Sequence, residues 1–236
     1  MSDFQYTGNE LDLFASAHNW KEHWFKHIKK HLRGSLLEVG AGIGSNTPLF
    51  AKCAQVSTIT CLEPDSTLAT RLEQTLRDEK IAKKWKVIIG ATDTLKPETL
   101  YDSIVYIDVL EHIQKDKEEI QKAVDLLTPD GKLIVLSPAH NYLYTPFDQA
   151  IGHFRRYNRQ SISALTPPNA SLLTVNYLDS CGLLASGVNK IFLKSSKPQL
   201  SQILFWDKYL VLSSRFLDPI LRYTIGKTIV AIWRKK

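Results

Sequence analysis

Short runs rich in Val, Ile and Leu alternate with helix-period stretches through the first 137 residues. Runs at 35–39, 56–62, 85–89, 103–108 and 132–137 predict five strands. Between them, 45–54 suits a helix, and 66–79 carries Leu68, Leu72 and Leu76 four residues apart on one face. A third helical stretch holds Ile120, Val124 and Leu127 and is closed by Thr128-Pro129-Asp130-Gly131. Strand–helix alternation of this kind predicts parallel strands joined by crossover helices, hence an α/β, doubly wound sheet. Such a sheet binds its ligand beyond the carboxyl ends of the strands, where strand order reverses.

The rest of the pattern differs. Residues 138–158 read as a long polar and aromatic loop, and 170–178 and 227–233 as two strands that complete a mostly parallel, seven-stranded sheet. A helical insert over 180–226 precedes the last strand, with Leu200, Ile203, Leu204, Leu210, Phe216, Leu217 and Leu221 as a discontinuous apolar face. Asp218-Pro219 is expected to break it, Asp218 as N-cap and Pro219 at the first helical position. Residues 9–32 are helical, carry Leu11, Leu13, Phe14, Trp20, Trp24 and Ile28, and can fold over the ligand mouth. The expected organisation is one domain over 1–236: a lid at 1–33, a binding core at 34–137, and an acceptor loop, insert and final strands at 138–236.

Composition narrows the class. With 44% hydrophobic and 23% charged residues the chain reads as soluble and globular. Cys53, Cys61 and Cys181 are odd in number and form no CxxC pair, which predicts reduced thiols in a cytoplasmic protein. The start lacks a signal-peptide pattern, and no apolar run reaches the roughly 18 residues of a membrane span. The net charge of +6 is lopsided, +8 over 186–236 and −2 over 1–185. That excess is a solvated face or a surface for an anionic partner, such as lipid headgroups in a peripheral membrane contact or a phosphorylated acceptor. No dense basic run points to nucleic acid.

The chemistry concentrates at strand ends. Glu38-Val39-Gly40-Ala41-Gly42-Ile43-Gly44 follows the first strand, and Gly40, Gly42 and Gly44 let the chain turn sharply and a ligand lie against the backbone. The G-x-G-x-x-G spacing of a nicotinamide dinucleotide site is not met, because the third glycine comes one position early. Glu38 would repel a pyrophosphate but suits a ligand bearing an ammonium and a sulfonium. Glu63, in Glu63-Pro64, lies 23 residues after Gly40 at the end of the second strand, where a carboxylate can accept two ribose hydroxyls. Thr92 and Asp93, after the third strand, can reach an adenine. Asp108-Val109-Leu110-Glu111-His112-Ile113 ends the fourth strand, facing the reacting group.

These motifs resemble the class I S-adenosylmethionine (SAM)-dependent methyltransferases over roughly 35–137, including their glycine motif, their ribose acid and the D-x-L-E-H motif of many small-molecule enzymes. A narrower resemblance, to a bacterial subgroup, runs through Gly8-Asn9-Glu10-Leu11, Asn19-Trp20, Ser137-Pro138-Ala139-His140, Gly152-His153-Phe154-Arg155-Arg156-Tyr157, Ser214-Arg215-Phe216-Leu217-Asp218 and Gly226-Lys227. Some members of that subgroup resemble partners of glycosyltransferases acting on lipid-linked sugars. The resemblance implies a Rossmann-like fold, SAM as cofactor, and O- or N-methylation of a small-molecule or lipid- or sugar-linked acceptor. Glu38, Gly40, Ala41, Gly42, Gly44, Glu63, Pro64, Thr92, Asp93 and Asp108 are then the expected cofactor contacts.

Methyl transfer from a sulfonium needs alignment, and a hydroxyl or amine acceptor also needs a base. His112, His140 and His153 are the candidates, while Arg155, Arg156 and Tyr157 could bind the acceptor or brace the loop. No H-E-x-x-H-type spacing appears, so no metal is expected. A non-catalytic SAM-fold binding module and a nicotinamide-dependent oxidoreductase remain as alternatives.

Overall fold

The computed structural model describes residues 10–188 and 199–236. Gly8 and Asn9 of the subgroup motif and residues 189–198 of the insert lie outside the described residues. Seven strands form one sheet: β1 (Gly34–Val39), β2 (Val56–Glu63), β3 (Lys84–Ile89), β4 (Tyr101–Ile107), β5 (Leu127–Pro138), β6 (Ala170–Leu178) and β7 (Thr228–Lys235). Their order is β3-β2-β1-β4-β5-β7-β6, and β7 alone runs antiparallel to its neighbours β5 and β6. Strand order reverses between β1 and β4, so the carboxyl ends of these two strands frame the crevice.

The helices are α1 (Glu10–Ala15), α2 (His18–Ile28), α3 (Thr47–Ala51), α4 (Ser66–Asp78), α5 (Asp116–Asp125), α6 (Pro146–Ala150), α7 (Arg159–Ser163), α8 (Ser180–Val188), α9 (Leu200–Phe205) and α10 (Leu212–Ile220). Strand alternation sends neighbouring side chains to opposite layers. Leu36, Val105, Ile134 and Val230 pack with Trp24, Phe50 and Leu72 on one face. Leu37, Tyr106, Val135 and Trp233 pack with Ile120, Val124 and Ile162 on the other. Burying each such aliphatic side chain contributes about 1.5–3 kcal/mol. The helix starts follow local chemistry: the Asp65 carboxylate accepts the Thr67 and Leu68 N–H groups at the start of α4.

Three expectations change. Thr128-Pro129-Asp130-Gly131 is not a closing turn; it belongs to β5 as an irregularity, where the pairing with β4 steps from Leu127 opposite Tyr101 to Lys132 opposite Ser103. Asp218 is not an N-cap and Pro219 does not begin a helix. Both lie in the last turn of α10, where Asp218 is buried and accepts the Asp179 and Ser180 N–H groups at the start of α8.

The insert's apolar face is also divided. A π-helical segment, Trp206–Val211, joins α9 to α10 and directs Trp206, Asp207 and Val211 inward. Leu200, Leu204, Phe205, Leu212, Phe216, Leu217 and Ile220 instead face solvent.

Candidate active site

A cavity of about 290 Å³ opens at the carboxyl ends of β1 and β4, beneath α1 and α2. Its wall brings together much of what the sequence singles out: the Gly40–Ala41–Gly42 backbone, Asp108, His112, His153 and Arg156. Leu11, Trp20 and Trp24 line it from the N-terminal helices.

The glycine loop is shaped by its surroundings. Gly40 has φ +65°, and a Cβ there would come within 2.6 Å of Val109 Cγ2. Gly42 has φ +57°, and its N–H donates to Glu63 Oε2 at 2.8 Å. Glu63 Oε1 accepts the Asp65 N–H at 3.0 Å. Burial pushes the Glu63 pKa up, against the pull of these two hydrogen bonds. Each carboxylate oxygen keeps a second lone pair for a ligand hydroxyl.

Glu38 lies under the loop, buried, accepting the Thr47 hydroxyl at 2.7 Å. Burial raises its pKa to about 8, opposed by Thr47 and by the Lys21 charge. Lys21 lines the cavity, donates to the Ala15 and Ser45 carbonyls, and is lowered by burial to about 8. The backbone cradle, an acid at the end of β2 and an acid beneath the loop fit a ligand with a cationic end and a ribose.

Glu38, Gly44, Glu63, Pro64, Thr92 and Asp93 stand outside the cavity wall. Thr92 turns inward, its hydroxyl donating to Glu119, which also accepts the Tyr106 hydroxyl. Asp93 is exposed in its short turn after β3.

At the other end, Asp108 has φ +55°, a left-handed conformation that Asp tolerates better than most residues. Its surface is open to the cavity although protein encloses it. That enclosure and then the Glu111 charge raise its pKa, opposed by Lys227 and Arg156. A single 3₁₀ turn, Leu110–His112, presents Glu111 and His112 together. Glu111 is fully buried; its Oε2 accepts the Ser137 hydroxyl at 2.5 Å, while Oε1 accepts no hydrogen bond among the described residues. The His112 and His153 rings meet edge to face with centroids 4.5 Å apart. Burial, then the His153 charge, lower the His112 pKa to about 4, against a backbone hydrogen bond at Gly152, so His112 is neutral at pH 7.

His153 is fixed by Asp148. Its Nδ1 lies 2.9 Å from Asp148 Oδ1, and since a carboxylate only accepts, Nδ1 carries the proton. In the neutral ring Nε2 is then a lone pair, 3.9 Å from Glu111 Oε1. Asp148 also accepts Nε and a terminal nitrogen of Arg156, each at 2.9 Å, and the Thr145 N–H and hydroxyl. Burial alone would raise the Asp148 pKa, but His153, Arg156 and Thr145 hold it well below the usual carboxylate range.

Three sequence candidates fall off the wall. His140 Nε2 donates to the Gly226 carbonyl at 2.9 Å, and its ring stacks on Tyr142 and Tyr177. Arg155 pairs with Asp116 at 2.6 Å and donates to the Ile113 and Gln114 carbonyls. Tyr157 is buried with its hydroxyl on Asp116. All three brace loop 138–158, because each polar group points at an internal partner away from the cavity. We expect Arg155→Ala and His140→Phe to lower Tm by several degrees while leaving the KM values for cofactor and acceptor within about twofold. Thermal melts beside steady-state kinetics check this; a selective rise in acceptor KM would reinstate either residue as a substrate contact.

The polar wall residues Glu111, Lys21, Asp148 and Lys227, and Trp206, have no individual role in the sequence analysis. The Lys227 ammonium sits 4.0 Å above the Trp206 ring centroid and 3.4 Å from Asp179 Oδ2. The signals available were the acid between Leu110 and His112, and the basic residue beginning the last strand.

Comparison with known proteins agrees with this geometry. Residues 37–133 match the model of the methyltransferase domain. An uncharacterized methyltransferase of Schizosaccharomyces pombe is 27% identical over 143 residues, 55% of this chain and 51% of that protein. Polyketide synthase 27 of Dictyostelium discoideum is 23% identical over 199 residues, 72% of this chain and 7% of that protein. The chain therefore spans about half the length of the first of these relatives and a small part of the second.

Among solved structures, coclaurine N-methyltransferase bound to N-methylheliamine and SAH superposes with a TM-score of 0.62 at 14% identity, over 99% of this chain and 76% of that one. A SAM-dependent methyltransferase from Clostridium acetobutylicum gives 0.59 at 10%, over 93% and 92%. The [4+2]-cyclase SpnF gives 0.61 at 14%, over 97% and 95%. Residues 37–133 thus carry a match to the methyltransferase domain, and the whole described chain has the fold seen in SAM-dependent methyltransferases.

Proposed function

We propose that this protein transfers a methyl group from SAM to a hydroxyl or amine of a small acceptor that is lipid- or sugar-linked. The observation that carries the reading is the cavity itself. It joins the Gly40–Gly42 cradle at one end to Asp108, Glu111, His112 and His153 at the other.

SAM supplies a methyl group activated by its sulfonium, so the protein chiefly aligns and desolvates the reactants. The Gly40 and Gly42 backbone receives the cofactor, with Glu63 beyond the loop for its ribose and Glu38 beneath for its cationic end. Trp20, Trp24 and Leu11 exclude water from above. His153 Nε2 and Glu111 Oε1 are the acceptor atoms that meet an incoming hydroxyl or amine, orient it and draw on its proton. Arg156 stays engaged with Asp148 and acts through His153.

The lipid-linked acceptor is supported by the outer surface of the insert. Phe216 and Ile220 are 76% and 74% exposed, beside exposed Leu204, Phe205, Leu212 and Leu217. Lys208 and Arg222 are exposed on the same stretch, while its two acids, Asp207 and Asp218, are buried. An apolar face edged by basic residues and free of exposed acids suits a cytoplasmic, peripheral contact with an anionic membrane. No helix among the described residues is long and apolar enough to cross one. Trp206, on the inward side of the same rod, lines the cavity, so a headgroup held at the membrane would reach the site.

Methyl-labelled SAM incubated with the full chain and membrane extract should place label in the organic-soluble sugar–lipid fraction. Phe216→Glu with Ile220→Glu should reduce pelleting with anionic vesicles at least about tenfold and leave SAM affinity unchanged. Label confined to water-soluble acceptors, with vesicle binding unaffected by the double variant, refutes the lipid-linked reading. SAM binding without label in any acceptor would favour a binding module, and the [4+2]-cyclase SpnF has a similar fold.

A further inference from the structure

We propose that Glu111, His112 and His153 form a binding site for a divalent cation of the zinc class at the acceptor end of the cavity. The ligand atoms of these three residues all lie within 4.8 Å of one another, and all three residues line the cavity. Zinc ligands sit about 2.0–2.2 Å from the metal, so small side-chain rotations would close the set around an ion.

Two observations point to a cation beyond the clustering. Glu111 is fully buried, yet its Oε1 accepts no hydrogen bond among the described residues; its nearest basic atom is His153 Nε2 at 3.9 Å. A buried carboxylate oxygen left without a partner is costly, and a cation bound there would satisfy it. The groups behind the ligands are also arranged as they are behind metal ligands. Asp148 accepts from His153 Nδ1 and so turns the Nε2 lone pair toward Glu111, while Ser137 donates to the other Glu111 oxygen. A backbone hydrogen bond at Gly152 holds His112.

Two imidazoles and one carboxylate favour Zn²⁺, Co²⁺ or Ni²⁺ over Mg²⁺ or Ca²⁺. Three protein ligands would leave a position open, and Asp108 lines the same cavity. On the methyltransferase reading, a bound cation would take over the Glu111 and His153 lone pairs from direct contact with the acceptor, and a hydroxyl at its open position would lose its proton to bulk water more readily because the cation lowers its pKa. The spacing hid this from the sequence: Glu111 and His112 are adjacent, and His153 arrives from a separate loop.

Co²⁺ is the probe. The chelator-stripped full chain, titrated with Co²⁺ in the absence of SAM, should show a visible d–d band saturating at one ion per chain, displaced by Zn²⁺. His112→Gln and His153→Gln should each weaken Co²⁺ binding about a hundredfold or more, and Asp148→Asn about 10–100-fold. Near-UV circular dichroism identifies any variant that has lost its fold. The wild-type titration needs no variant to be decisive: no band at millimolar Co²⁺ overturns the site. A band that persists in the folded His112→Gln, His153→Gln double variant assigns the ion to other histidines and also overturns it. SAM affinity, measured separately by calorimetry, keeps the two conclusions apart. A band without SAM binding speaks against the methyltransferase reading alone, and SAM binding without a band against the cation site alone.

Discussion

Gly42→Val abolishes SAM binding in a chain that still folds. Gly42 holds φ +57°, where a β-branched residue pays about 1–3 kcal/mol in backbone strain. Its N–H donates to Glu63, so a loop that relaxes toward negative φ also withdraws that donor from the ribose acid. The Cβ would point toward Leu11, 3.6 Å from its Cδ1, into the space between loop and lid. Strain, a displaced acid and lost volume act on one ligand, and affinity should fall by at least about a hundredfold, or 2.7 kcal/mol. Calorimetry with SAM beside far-UV circular dichroism checks the result. A folded Gly42→Val protein that binds SAM as well as wild type moves the cofactor elsewhere.

Asp148→Asn should have the second large effect, and it should spare the cofactor. The amide preserves shape but can donate, which permits the His153 tautomer with its lone pair on Nδ1 and its proton on Nε2, facing Glu111. Turnover should drop about 10²–10⁴-fold. SAM affinity should be unchanged, because the partners of Asp148 are His153, Arg156 and Thr145, none of them in the glycine loop. Single-turnover rates at saturating SAM separate this from a folding defect, since Arg156 and Thr145 also lose a full carboxylate. Full turnover in a folded Asp148→Asn protein would mean that the orientation of His153 is immaterial.

The core was legible because one physical signal dominates there. Central parallel strands are buried on both faces, so their runs of Val, Ile and Leu stand out, and the run at 35–39 falls within one residue of β1. The glycine loop was legible because positive φ demands glycine. Loop 138–158 was harder. Arg155 and Arg156 are adjacent and chemically identical, yet one turns to Asp116 outside the cavity and the other to Asp148 on its wall. No local pattern encodes that direction; it depends on which carboxylate another element brings near. The sequence points to His112 rather than Glu111 because an imidazole is the usual base, whereas the burial of Glu111 and its unsatisfied oxygen exist only in three dimensions. The insert defeated periodicity because apolar residues occupy both of its sides, one facing Trp24 and the sheet, the other facing outward.

The joint between the insert and the sheet constrains how acceptor range can be changed in the laboratory or in evolution. Asp179, just past β6, accepts Trp206 Nε1, the Ser214 hydroxyl and the Gly182 N–H, and pairs with Lys227, the residue before β7. Asp218 in turn receives His23 from the N-terminal helices. A chimera that exchanges only residues 200–220 for a homologous segment would strand one or both buried carboxylates, a penalty of about 3–5 kcal/mol. The transplantable unit is therefore discontinuous: His23, Asp179 and Lys227 must travel with the graft. Libraries that shuffle the insert as a contiguous cassette should yield mostly unfolded recombinants.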